Sequence, residues 1–547
     1  MKPRPVSHRM TPILPSWRSL FPVALVAVAS LVLPRPGQAQ VRWEAVADGY
    51  PRTAAEANGF SAHTRHAEMW SYLEALRAMS ADMRLGVYGE TRQGRQLPYA
   101  IFSKPLVSEP WEAMALDRPI VLLAANVHGG ERTFREGLMI LMRDLATPGT
   151  PANALLDRVT VLVAPQINPD GFEASAGGQR GNAWGIDLNR DYVKLEHPTI
   201  QGYVQNLIGR WRPHLFVDGH NGGARPYNLN YQCTSHYDAA IELTLICDDE
   251  IFPAIDARLG GEGMSAWYYQ RGDEQEWNTG GSEVRIGRNY GGMVNSVGIL
   301  FEAPQQALET GARAGYLGYL AVLEWVVAND DHLVGTVEAA RAETVAMGAA
   351  PRGQIAVEME YAAEDEPVDY LLVRGGGFND PPGTPVDTVH VTGARLMKKP
   401  VATRLRDRPW AYLLPRDAED AVALLRRHGI TVEQLTAPAS LEVQAYTVSG
   451  VQHEEQYNHV AVTRIQVGEV VDRTMDFPVG TYLVPTAQYL GRLAAHMLEV
   501  ETQDNVVYWN RMDAWVPRPT AGDSEAPLAP IYKLMTPTTL SSRLVGG

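Results

Sequence analysis

The stretch Pro119-Ile-Val-Leu-Leu-Ala-Ala-Asn-Val-His128-Gly-Gly-Glu131 decides how this chain is read. Its apolar run has no polar alternation, which marks a central strand, and it hands over to a helix expected from Arg132 to about Leu145. In that helix Leu138, Met139, Leu141 and Met142 recur at mixed i+3 and i+4 spacing. The two glycines let the turn approach a metal closely. A three-residue offset sets the imidazole and the carboxylate on one side of a helical turn. Alone, a His and a Glu in a Gly-rich turn specify nothing, and their weight comes from the segments that follow.

Val159-Thr-Val-Leu-Val-Ala164 reads as a second strand, running into Asn168-Pro169-Asp170-Gly171, a tight-turn sequence. After a Gly-rich stretch comes Arg180-Gly-Asn-Ala-Trp-Gly-Ile-Asp187-Leu-Asn189-Arg190. A third strand, His214 to Asp218, delivers His220, and a fourth, Val297 to Phe301, delivers Glu302. Polar side chains thus gather at the carboxyl ends of several strands, where open α/β sheets place their ligand sites. Two imidazoles, a carboxylate and a separate Glu are what a protein needs to hold a catalytic zinc and work on water.

In the order and strand context of these motifs the chain resembles the zinc metallocarboxypeptidases of the carboxypeptidase A-like fold, as a bacterial-type secreted member with a C-terminal accessory domain. The resemblance covers roughly residues 50 to 335. It implies an α/β fold with a mixed, mostly parallel central sheet flanked by helices, followed by a smaller α+β region. It also implies one Zn2+ per chain held by His128, Glu131 and His220, with Glu302 as general base and acid. By the same resemblance Arg180 polarises the scissile carbonyl, Asn189 and Arg190 bind the substrate's terminal carboxylate, and Asp187 fixes the tautomer of His128. A guanidinium, always charged and bidentate, is independently suited to a carboxylate. Members of this family cap the bound substrate with a mobile Tyr. Tyr290, followed by two glycines that could act as a hinge, is the candidate, with Tyr268 and Tyr269 nearby.

Other motifs read as bland. His453-Glu454 with His459 lacks the second His at i+4 that a helical zinc motif requires, since position 457 is Tyr. His214 stands at the start of its strand and belongs at the opposite end of the sheet from His220. Gly375-Gly-Gly377 has no Lys-Ser/Thr and no helix after it, and reads as a turn.

At 547 residues and 45% hydrophobic composition, the chain can bury at least two cores. Its net charge of −15 argues against nucleic acid as a partner. Lys2, Arg4, Arg9 and Arg18 precede the apolar run Leu20 to Leu33 and Gly37-Gln-Ala39, which reads as a signal peptide over residues 1–39 cleaved after Ala39. The protein is then expected to be secreted or periplasmic, with no stable membrane insertion after cleavage. Cys233 and Cys247 form either a disulfide or two buried thiols. The catalytic domain is expected over residues 40–335 and an accessory region over 350–547, where no chemical constellation is legible.

The reading favoured is a secreted metallocarboxypeptidase acting on the C-termini of peptides or proteins. The alternatives are a zinc amidase acting on cell-wall peptides, and a zinc-containing protein that binds peptide or glycan ends without cleaving them. Glu302 and Arg180 weigh against the last, because a pure binder needs neither.

Overall fold

Eight strands form the central sheet of the computed structural model, which describes residue 43 and residues 45–375, 386–456, 458–520 and 525–546. The expected signal peptide and the turn after Gly375 lie outside the described residues. In chain order the strands are β1 (Met83–Glu90), β2 (Gln96–Phe102), β3 (Ile120–Ala125), β4 (Thr160–Ala164), β5 (Leu215–Asn221), β6 (Leu229–Cys233), β7 (Ala266–Tyr268) and, after two short strands of another sheet, β10 (Val297–Ala303). Their spatial order is β1-β2-β4-β3-β5-β10-β6-β7. The middle four, β4-β3-β5-β10, are parallel, whereas β1, β2 and β6 join through antiparallel pairings. This is the mixed sheet anticipated from the sequence.

Strand β3 is buried throughout because both faces of the sheet are covered. Val121, Leu123 and Ala125 face one core together with the helix Thr133–Ala146, while Ile120, Leu122 and Ala124 face a second core that contains Tyr192 and Tyr203. Such two-sided burial is why the run shows no alternation. The helix Thr133–Ala146 packs on the helix Leu308–Ala328 so closely that a Cβ on Gly137 would lie 2.1 Å from the Ala312 carbonyl oxygen. His128 to Glu131 are not part of that helix. They form a turn before it, closed by Glu131 N–H donating to the His128 carbonyl at 3.0 Å.

The two cysteines are joined in a disulfide that ties the end of β6 to the helical segment Ile246–Ile251. Among the described residues, no helix is long and apolar enough to cross a membrane.

The remaining strands build a β-rich C-terminal region, which interlocks with the first sheet. Strands β8 (Gln270–Gly272) and β9 (Glu276–Thr279) pair into a sheet with β11 (Gln354–Ala363), β12 (Val368–Arg374) and β13 (Asp387–Asp407). A seven-stranded sheet follows, edged by a long hairpin of β16 (Ala439–Gln456) and β17 (His459–Phe477). The segment holding His453 is therefore strand and not helix. The core around Tyr192 and Tyr290 continues without a break into Tyr412, Leu425 and Trp509.

His214 sits at the amino end of β5, where its Nδ1 accepts from Ile120 N–H at 3.0 Å. Burial, aided by the nearby Arg341 charge, lowers its pKa to about 3. The unfolded chain therefore binds a proton here that the folded chain refuses. The stability held by the neutral ring is complete above pH ~6.5 and is lost as pH falls toward the folded value. His214→Gln is expected to flatten the loss of urea stability between about pH 7 and pH 4, and an unchanged slope would refute this.

Candidate functional site

Every part of the site hangs from a strand end. β5 and β10 run parallel with Glu302 opposite His220 in register, and β3 stops one strand over, three residues before His128. The turn after β3 is held open by Asn126, which has a positive φ of 65° and whose amide donates to the carbonyls of His128 at 2.8 Å and Glu131 at 2.9 Å. Gly129 is compulsory there: a Cβ would stand 2.1 Å from the Gly171 carbonyl carbon, in the turn of the Asn-Pro-Asp-Gly motif. Asn168 in turn caps the short helix Pro169–Glu173 by accepting from Gly171 N–H at 2.9 Å, and its amide donates to the Val127 carbonyl.

The result brings His128, Glu131 and His220 together, with one ligand atom from each lying within 4.8 Å of the others. The Nδ1 atoms of the two histidines face each other at 3.1 Å, and one Glu131 oxygen lies 2.9 Å from His128 Nδ1 and 2.8 Å from His220 Nδ1. The far ring nitrogens point at carboxylates: His128 Nε2 at Asp187 (2.9 Å) and His220 Nε2 at Asp218 (3.1 Å). Two imidazole nitrogens that face each other at this distance need a proton or a metal ion between them. The separation is close to the roughly 3.3 Å edge expected for two nitrogens on a tetrahedral zinc with 2.0–2.1 Å bonds. Against burial, the three carboxylates raise the proton affinity of both rings; the same negative field suits a metal ion, and the outer carboxylates fix the tautomers. The donor set therefore fits zinc.

The electrostatics agree. Burial opposes ionisation of Glu131, yet the two imidazoles hold its carboxyl well below the usual range. Asp187 is likewise held low against burial, by the His128 ring and by the Arg180 and Arg190 charges. Glu302 goes the other way. Burial pushes it up to about 8, with His220 opposing the rise and Glu131 adding to it. A buried carboxyl poised near neutrality can both accept and return a proton. Its space is reserved by Gly222, where a Cβ would come within 2.7 Å of Glu302 Oε2.

Arg180 is half exposed and donates through Nε to Asp187 at 2.9 Å and through one terminal nitrogen to Glu131 at 3.3 Å. Asp187 opens the short turn Leu188–Arg190 by accepting from Asn189 N–H at 2.9 Å, and the Asn189 side chain accepts from Gly287 N–H at 2.9 Å. Arg190 is half-buried beside it, with a terminal nitrogen on the Asn189 carbonyl.

Tyr290 is not brought to this cluster. It is fully buried, its hydroxyl lies 2.9 Å from His428 Nδ1, and its ring packs against Tyr192. Its supposed hinge is packed as well, since a Cβ on Gly291 would lie 2.4 Å from the Phe216 ring. A residue so fixed cannot swing over a substrate. Tyr269 is placed differently: it is half-buried, and its pKa is raised to about 12 by burial and then by the charge of Glu302, with Glu131 and Arg180 also within reach.

Three residues that the sequence did not single out belong to the site. Asp218 lies two positions before His220 on the same strand, so period two puts both on one face, and that signal was available. Arg288 is buried, no ion pair holds it among the described residues, and the Arg190 charge reaches it. Asn458, at the tip of the β16–β17 hairpin, grips the backbone of Asp187 from both sides: its Oδ1 accepts from Asp187 N–H at 2.8 Å and its Nδ2 donates to the Asp187 carbonyl at 2.5 Å. Nothing in the local sequence announces a contact across 271 positions.

An α/β sheet with a His, Glu, His donor set and a buried Glu at its carboxyl edge defines a metal-dependent hydrolase. The zinc carboxypeptidase family model matches residues 69–238. Carboxypeptidase 2 of Trichophyton rubrum is 26% identical over 473 residues, covering 82% of this chain and 84% of the relative. Carboxypeptidase D of Mus musculus is 30% identical over 217 residues, covering 33% of this chain and 16% of that protein. A solved metallo-carboxypeptidase from Pseudomonas aeruginosa is 22% identical with a TM-score of 0.38, covering 50% of this chain and 70% of the other. Residues 69–238 thus carry a zinc carboxypeptidase domain, and over most of its length the chain is similar to fungal carboxypeptidases.

Two outcomes check this construction. Gly129→Ala is expected to abolish metal binding and to lower the melting temperature, because backbone stands where the Cβ must go; normal zinc content would refute it. Asn458→Ala is expected to lower kcat at least tenfold with little change in the circular dichroism spectrum, through loss of the grip on Asp187. Unchanged kinetics would show that the hairpin does not brace the site.

Proposed function

We propose that the protein is a secreted carboxypeptidase in which His128, Glu131 and His220 hold the zinc and Glu302 is the general base and acid. The observation that carries this reading is the convergence of two imidazole Nδ1 atoms and one Glu131 oxygen beside a buried Glu302. When bound, zinc supplies Lewis acidity, polarising a carbonyl and easing the ionisation of water. Glu302 takes the proton from the attacking water and returns it to the leaving amine. Arg180, the half-exposed cation at the edge of the cluster, stabilises the oxygen that gains negative charge at the carbonyl. Asn189 and Arg190 hold the terminal carboxylate of the peptide, which restricts cleavage to the last bond. Asp187 orients His128, and Asp218 does the same for His220.

Tyr269, rather than Tyr290, is the side chain positioned to close over a bound peptide, since it lies within the field of Glu302 and Arg180 and is only half-buried. The N-terminal leader read from residues 1–39 would direct export. Residues 40–335 carry the chemistry, and the region 350–547 supports it, with the Asn458 contact as the point of support.

The test compares the mature wild type with Glu302→Gln on a mixed peptide library, with zinc assayed in both. Release of free C-terminal residues is expected to fall about 10²–10⁴-fold in the variant while zinc content stays the same. Chelation of the wild type is expected to abolish release, and added zinc to restore it. Zinc in both proteins with cleavage by neither would count for an amidase or a binding protein instead.

A further inference from the structure

A second cluster of metal-ligand side chains lies away from the carboxyl edge of the sheet. His236 and Asp238 occupy the loop after β6, and His496 is on the helix Gly491–Leu498 of the C-terminal region. One nitrogen or oxygen from each falls within 4.8 Å of the other two. The three side chains are 7%, 5% and 3% exposed, so none is solvated in the ordinary way.

We propose that His236, Asp238 and His496 form a second metal site, for a first-row divalent cation such as zinc, which staples the C-terminal helix to the catalytic half. Two imidazoles and one carboxylate are a donor set for such ions. Asp238 Oδ2 and one ring nitrogen of His496 are buried and make no hydrogen bond among the described residues, while the other His496 ring nitrogen is held by the Gln503 backbone. Buried polar atoms are almost always paired, and orphans that converge call for an ion or a water. His496 Nδ1 and Asp238 Oδ2 stand 4.0 Å apart, too far for a hydrogen bond and within an ångström of the spacing of two ligands on one zinc. The other Asp238 oxygen accepts from Ala356 N–H at 2.9 Å, which leaves Oδ2 to point at the cluster.

Two features oppose a cation. Asp238 N–H donates to His236 Nδ1 at 3.1 Å, so His236 would bind through Nε2 and give up that bond. Arg408 and Arg492 lie close enough for their charges to reach Asp238. Against these charges stand Asp238 itself and, on the wall of the cavity of about 510 Å³ that His236 and His496 line, Glu283, whose Oε2 is also buried and unpartnered; Asp504 on the same wall is neutralised by its ion pair with Arg285. Three coordination bonds replace one hydrogen bond and two orphaned atoms.

Zinc content of the full mature chain, saturated with zinc and desalted, tests this, together with anomalous diffraction at the zinc edge. Two zinc ions per wild-type chain are expected, one in His496→Gln, one in the isosteric Asp238→Asn, and one in Glu131→Gln. The anomalous peak at His236, Asp238 and His496 should vanish in the first two variants alone. Should one substitution unfold the chain, the other and the wild-type peak still decide. One zinc in the wild type and none in Glu131→Gln, with no peak at the cluster, would overturn the second site and leave the peptidase reading intact. Loss of all zinc in Asp238→Asn, with none lost in Glu131→Gln, would instead overturn the assignment of the catalytic metal.

Discussion

The parallel pairing of β5 with β10 is the constraint on which the rest of the molecule depends. It sets Glu302 opposite His220 and, through β3 on the other side of β5, brings the His128 turn to the same edge. Parallel strands need crossover connections, and here those connections are the helices that cover both faces. The same covering makes the strands apolar without interruption and leaves polar side chains a place only at their ends. A site at the carboxyl edge is thus a consequence of how the sheet is buried.

Charge organises that edge. Glu131, Asp187 and Asp218 surround two imidazoles, a concentration of negative charge that only a cation or protons can offset. Arg180 reaches in from its edge to Asp187 and Glu131, and the Arg190 charge acts on Asp187 as well. Glu302 is set apart by burial, so one fold holds an ionised carboxylate beside the metal position and a carboxyl near its titration point a strand away.

The C-terminal region is part of the same mechanical unit. Its hairpin tip clasps Asp187, and its core is continuous with the packing around Tyr192 and Tyr290. Strands β8 and β9, which precede β10 in the chain, pair into its first sheet. Loss of stability in this region would therefore reach the His128 orientation through Asp187.

Much of this was legible in the residues themselves. The apolar runs of β3, β4, β5 and β10, with His128, Glu131, His220 and Glu302 at their ends, specify a buried mixed sheet and the polar cluster at its edge, because strand burial and turn geometry are local. Asp218 could have been read from its two-residue spacing to His220. Tyr290 could not be excluded by sequence: glycines beside a tyrosine look like a hinge until tertiary packing fills the space around them. Tyr269 was one of three tyrosines the sequence offered and only the folded chain distinguished it; Arg288 and Asn458 came only from the folded chain, since each acts on residues far away in sequence, and no periodicity encodes which distant loop will close a gap. The sequence by itself determined the sheet and the polar residues at its carboxyl edge; the tertiary structure decided which side chains surround them, because that depends on long-range packing and the exclusion of water.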